Sequence, residues 1–75
     1  MTEDKLIDRL NCAVIQFGSQ KEVAIAAKRA KSTVCEWLKG VYKPDIAALM
    51  NLDAAARKKR LKIRFDPREL RPELF

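Results

Sequence analysis

The stretch that decides the fold is residues 18–40, GSQKEVAIAAKRAKSTVCEWLKG. Val23, Ala27, Ala30, Val34 and Trp37 step by four, three, four and three. That is the repeat of a helix with one apolar face. Between Gln20 and Lys39 there is neither Gly nor Pro to stop it. Ser19-Gln20-Lys21-Glu22 has the form S-x-x-E. In such a capping box the Ser19 hydroxyl accepts the N–H of Glu22, and the Glu22 carboxylate returns to the N–H of Ser19. A helix should therefore start at Gln20. Ser32-Thr33-Val34 is a patch of weak helix formers, and Ser32 could itself cap a second start. Periodicity alone admits one long helix or two short ones.

Upstream, Leu6, Leu10, Val14 and Phe17 repeat at helical spacing, with Ile7 widening the stripe. Glu3 and Asp4 suit the first turn of that helix, and Gly18 suits its end. Downstream, Gly40 closes the second region. Pro44 then restrains Lys43 to extended conformations. Asp45 is a cap or a first-turn acid for a further helix. That helix carries Ile46, Leu49, Leu52 and Ala56 on one face and runs to about Arg60. The basic run Arg57–Arg60 suits a helix C-terminus. Leu61, Ile63 and Phe65 alternate with Lys62 and Arg64, which is strand period. A lone strand needs a partner, and its copy in a second subunit would serve. The alternative is an extended tail laid on the helices. Asp66-Pro67 turns the chain before one short helical turn, Arg68-Glu69-Leu70. No internal repeat or low-complexity segment interrupts the pattern.

The chain has 75 residues, enough for one small domain spanning 1–75. A chain this short is marginal alone and gains from disulfides, a metal or a partner subunit. With two cysteines and no histidine, the partner subunit is the expected aid. The absence of histidine also removes Ser-His and Cys-His dyads and the commonest zinc ligand. We therefore expect no catalytic residues, no metal, no cofactor and no small-molecule substrate. Cys12 and Cys35 lack CxxC spacing and read as small apolar side chains of a reducing compartment. The acidic start Met1-Thr2-Glu3-Asp4 does not resemble a secretory signal. No apolar run approaches the roughly 18 residues of a membrane span. A cytoplasmic location is the expectation, with no membrane partner.

The net charge of +6 suggests a polyanionic partner, nucleic acid or an anionic membrane; the alternative is a basic protein that is simply soluble. The charge is unevenly placed. Residues 1–18 carry net −1, residues 19–56 net +2, and the tail 57–75 net +5. The basic run 57–64 has two readings: it lies along phosphates, or it is a solvated helix end.

Residues 18–40 resemble the helix-turn-helix of small phage Cro repressors and of YdaS-type Cro-like proteins, within the lambda-repressor-like class. Gln20 opens the first motif helix. Val23, Ala24, Ala27, Val34 and Trp37 fall on the motif's core positions, with Ala24 where only a small side chain lets two helices cross closely. Glu69-Leu70-Arg71-Pro72-Glu73 resembles the "LRP plus acid" tail of YdaS-type proteins. The motif itself covers about 20–39, and with its flanks the resemblance spans most of the chain. It implies a mostly all-α domain of four or five helices, to which the 61–65 alternation would add either one short C-terminal strand pairing across a dimer or an extended tail. Three residues of the turn depart from the family pattern. Lys28 stands for the usual glycine, Arg29 for an aliphatic residue and Ala30 for a Ser or Thr cap. Lys28 in a left-handed conformation would cost roughly 1–2 kcal/mol, and a turn displaced toward Ser32 is the alternative.

In this motif the second helix enters the major groove and the first spans the backbone. Carried over, the base-facing side chains are Lys31, Ser32, Cys35 and Glu36. Lys31 can donate to guanine and Glu36 can accept from cytosine N4. Ser32 can do either, and Cys35 can touch a thymine methyl or simply fill space. Gln20, Lys21, Lys28, Arg29, Lys39 and Lys43 are candidates for phosphate contacts. Two subunits on half-sites about 34 Å apart would double the sequence information. Leu61, Ile63 and Phe65 offer a seam for such a homodimer; the alternative is a monomer in solution that pairs only on DNA. Four to six phosphates per subunit would give a dimer a log–log salt slope of roughly −7 to −11. The resemblance thus implies a sequence-specific regulator of double-stranded DNA, a phage or prophage repressor. The other reading is a protein-interaction module, antitoxin- or anti-repressor-like, that kept the scaffold without sequence reading. Its motive is the altered turn.

Overall fold

The computed structural model describes residues 5–74. It is all-α: α1 spans Lys5–Phe17, α2 Gln20–Ala27, α3 Lys31–Lys39, α4 Ile46–Lys58 and α5 Pro67–Leu70, followed by a 3-10 turn at Pro72–Leu74. The first-turn acids expected at Glu3 and Asp4 lie outside the described residues. Leu6, Leu10, Ala13 and Phe17 bury the inner face of α1, and Gly18 ends it at φ 112°.

The region 20–39 is two helices, not one. Ser19 caps α2, its hydroxyl accepting from the Glu22 N–H at 3.2 Å. The return half of the capping box is not made. The Glu22 carboxylate lies instead 3.9 Å from Lys59 Nζ on α4. α2 stops at Lys28, which is left-handed at φ 60°. The Lys28 N–H donates to Ile25 O and the Arg29 N–H to Ala24 O, at 3.1 and 2.9 Å. This pair is a Schellman ending. The N-cap of α3 is Ala30, which offers no side-chain oxygen. Ser32, weighed above as a displaced cap, therefore lies inside α3. The turn does not shift, because the Schellman bonds already close α2 at the motif position.

Two more helices end in the same way. In α3, Gly40 donates to Trp37 O and Val41 to Glu36 O. In α4, Arg60 donates to Arg57 O and Leu61 to Ala56 O. The left-handed residue is Gly40 at φ 80° in one and Arg60 at φ 61° in the other. A non-glycine there costs roughly 1–2 kcal/mol. A cation at a helix C-terminus returns only about 0.3–1 kcal/mol, so neither Lys28 nor Arg60 is the stabler choice.

α4 runs antiparallel to α2. Asp45, its N-cap, meets Arg29 just past the end of α2. Asn51 donates to Ala27 O at 3.2 Å, and Lys59 meets Glu22 near the start of α2. Ala48, Leu49, Leu52 and Ala56 bury its inner face. Packing this stripe against Val23, Ala24, Ala27, Val34 and Trp37 makes the core.

The segment 61–65 corrects one expectation. Among the described residues there is no strand. Phe65 is fully buried, Ile63 nearly so and Leu61 half-buried, all against the chain's own helices. The Phe65 N–H donates to Asp53 Oδ1 on α4 at 3.0 Å, where a ladder bond would have gone. The alternation therefore fills the core, and Ile63 and Phe65 are not free to form a dimer seam. α5 follows, capped by Asp66 with Pro67 in its first turn, and buries Leu70.

Candidate nucleic-acid interface

α3 is anchored from one side only. Val34 and Trp37 are buried, and Thr33 and Leu38 are partly so. A helix of nine residues with two core anchors leaves the remaining face outward. Lys31, Ser32, Glu36 and Lys39 are exposed and Cys35 is half-buried. The tail does not cover them. Its hydrogen bonds lie elsewhere: Phe65 donates to Asp53 of α4, Arg64 O and the Glu69 carboxylate accept from Arg9 of α1, and Arg71 donates to Pro44 O in the loop before α4.

Lys31, Ser32, Cys35 and Glu36 are thus brought onto one accessible surface at i, i+1, i+4 and i+5. The cap residue Ala30 makes no side-chain bond to the first turn of α3. Its N–H groups keep their partial positive charge, which favours an anion nearby.

The candidate phosphate contacts divide into two sets. Lys21, Lys28 and Lys39 are exposed, and no carboxylate pairs with them among the described residues. Gln20 is half-buried at the start of α2. Arg29 belongs to the structure instead. It donates to Lys28 O at 3.2 Å and pairs with Asp45 at 3.0 Å. These bonds satisfy a turn carbonyl and lock the turn to the cap of α4, so Arg29 is not a spare cation for phosphate. Lys43 lies 3.9 Å from Glu73, an open pair that leaves it more than half exposed.

Two groups that hold this surface in place were not expected. Arg71 is mostly buried and donates to Pro44 O at 2.8 Å while gripping Glu73. The Arg71 guanidinium hydrogen-bonded to Glu73 holds that carboxyl below its ordinary value, helped by the residue's own backbone N–H. The tail therefore ties down the loop that leaves α3. The "LRP plus acid" pattern was the only sequence signal, and it named the residues without their partner. Asn51, which closes the end of α2, gave no sequence signal at all.

No family model, curated protein or solved structure matches this chain. The described helices include none long and apolar enough to cross a membrane.

Proposed function

We propose that this chain is a sequence-specific DNA-binding regulator, a phage- or prophage-type repressor that lays α3 in the major groove of operator DNA as a dimer. The observation that carries the reading is the break at Lys28–Ala30, which frees a short helix whose outer face is uncovered. An unbroken helix, or a face sealed by the tail, would have removed the means of reading bases. Lys31 and Glu36 differ in hydrogen-bond sense, donor and acceptor, so together they can distinguish base pairs. Lys21, Lys28 and Lys39 supply the phosphate contacts that fix register. The site of action under this reading is the bacterial cytoplasm, on the nucleoid. The dimer is assigned to pairing on adjacent half-sites, since the 61–65 seam is spent on the core.

The interaction-module reading drew on the altered turn. That turn closes through its own Schellman bonds and the Arg29–Asp45 pair, so it no longer argues against DNA.

Selection from random duplexes at two ionic strengths tests the proposal. A preferred site should emerge, and Lys31→Ala combined with Glu36→Ala should abolish the preference with helicity retained. An unchanged footprint in that double variant would refute it, as would a shallow salt slope with no preferred site.

A further inference from the structure

Three helices of this chain end in one hydrogen-bond pattern, and only α3 fills the left-handed position with glycine. α2 fills it with Lys28 and α4 with Arg60. The backbone cost at both positions exceeds what the helix end returns to a cation, and Lys58 already supplies a cation to the last turn of α4. Strain kept at an exposed charged residue points to a role outside the fold. Lys28 has one in the turn before α3. Arg60 had none.

The antiparallel packing of α4 on α2 says where Arg60 lies. Lys59 Nζ is 3.9 Å from Glu22 in the first turn of α2 and 5.4 Å from the Phe17 ring centroid at the end of α1. The end of α4 therefore sits at the corner where α1 stops and α2 starts. Most acids near this corner are occupied: Asp53 holds Arg57 at 2.9 Å, and Glu22 faces Lys59. Lys58, Arg60 and Lys62 are exposed, and among the described residues no carboxylate pairs with them.

We propose that Lys58, Arg60 and Lys62 form a second contact surface for the phosphodiester backbone, beside the one at the start of α2. This rests on the DNA reading above and extends each subunit's footprint beyond the groove that α3 would occupy. Charge complementarity selects the partner. A membrane surface fits poorly, because the neighbouring apolar residues Ile63 and Phe65 are turned into the core and Leu61 is half-buried, which leaves little to insert.

The test uses the full chain and a duplex from the random selection. Arg60→Gly should raise the melting temperature by about 4–8 °C and yet weaken duplex binding. Adding Lys58→Gln and Lys62→Gln should make the log–log salt slope shallower by about 2–3 per subunit, at roughly −0.9 per phosphate. The ranking of selected sites should stay the same. If Arg60→Gly fails to fold, the Lys58→Gln, Lys62→Gln pair reads the same surface, with a slope change of about 2 per subunit. Wild-type slope in a folded variant overturns this surface alone. A wild-type chain with no salt-sensitive duplex binding overturns the DNA reading and the surface with it. Capture by phosphatidylglycerol vesicles in preference to duplex, lost in the triple variant, overturns the assignment to DNA.

Discussion

Arg29 donates to both carboxylate oxygens of Asp45, at 3.0 and 3.1 Å, across sixteen positions of chain. The same carboxylate accepts the Ala48 N–H at 3.2 Å as the cap of α4. One acid thus closes a helix and, through Arg29, pins the turn that sets α3 against α2. Because both side chains are partly exposed, the pair is worth less than its geometry suggests.

Replacing Arg29 with alanine should lower stability by about 1 kcal/mol, counting the pair and the turn carbonyl it leaves unsatisfied. Asp45→Asn keeps the cap acceptor and loses only the charge, so its effect should be smaller. Lys21→Ala should leave the melting temperature unchanged. Thermal melts of the three variants check the order. Equal shifts for Arg29→Ala and Lys21→Ala would return Arg29 to the pool of free cations.

Lys28→Gly should stabilise the domain by roughly 1 kcal/mol, since glycine takes the left-handed conformation without strain. It should also make the salt dependence of duplex binding shallower by about 1 per subunit. A stabler protein that binds more weakly is the expected combination, read from a melt and a salt titration.

Gly40→Ala should do the opposite. At φ 80° an alanine would be strained, and its new Cβ would stand 3.3 Å from Ile7 Cδ1. The loss should be roughly 1–2 kcal/mol. Ile7→Val removes the atom that is met, so in that background the contact part of the loss should vanish and the backbone part remain. A denaturant double-mutant cycle separates the two.

Phe65→Ala should cost about 3–5 kcal/mol, as for any large aromatic deleted from a core. In a domain whose whole stability is on the order of 5 kcal/mol this approaches unfolding. The loss should be independent of protein concentration. A concentration-dependent melt that alanine abolishes would restore Phe65 to a subunit interface.

Glu73 is held ionised by Arg71, so its folded pKa lies below its ordinary value of 4.5. A depressed carboxyl contributes stability that is present above the unfolded pKa and lost as pH falls through the folded one. The tie between tail and loop should therefore be intact at neutral pH and loosen only below about 4.5. Glu73→Gln should lower the neutral level of a pH-stability curve slightly, flatten its acid limb and leave the most acidic end unchanged.

The helices were legible in the chain because each carries its own period and its own stop. Leu6 to Phe17, Val23 to Trp37 and Ile46 to Ala56 repeat at helical spacing, and Ser19, Asp45 and Gly40 mark ends by local chemistry. The candidate reading face, Lys31, Ser32, Cys35 and Glu36, came position by position from the resemblance. The exposure of Lys31, Ser32 and Glu36 is compatible with Val34 and Trp37 facing inward. The break between α2 and α3 was not legible from periodicity, because the apolar face carries straight through Ala30. Ser32-Thr33-Val34 hinted at a second start, and the resemblance put the turn at Lys28–Ala30.

What the sequence determined by itself is local: where each helix begins, which face of it is apolar, and how charge is divided along the chain. The tertiary structure decided what distant residues do to one another. It turned Leu61, Ile63 and Phe65 from a candidate seam into core, because they pack into the apolar cluster of the chain's own helices. It spent Arg29 on Asp45, and it brought the end of α4 to the start of α2. The physical reason is that burial and ion pairing depend on distance in space. Side-chain period is the same for a strand at an interface and for a tail folded onto its own helices.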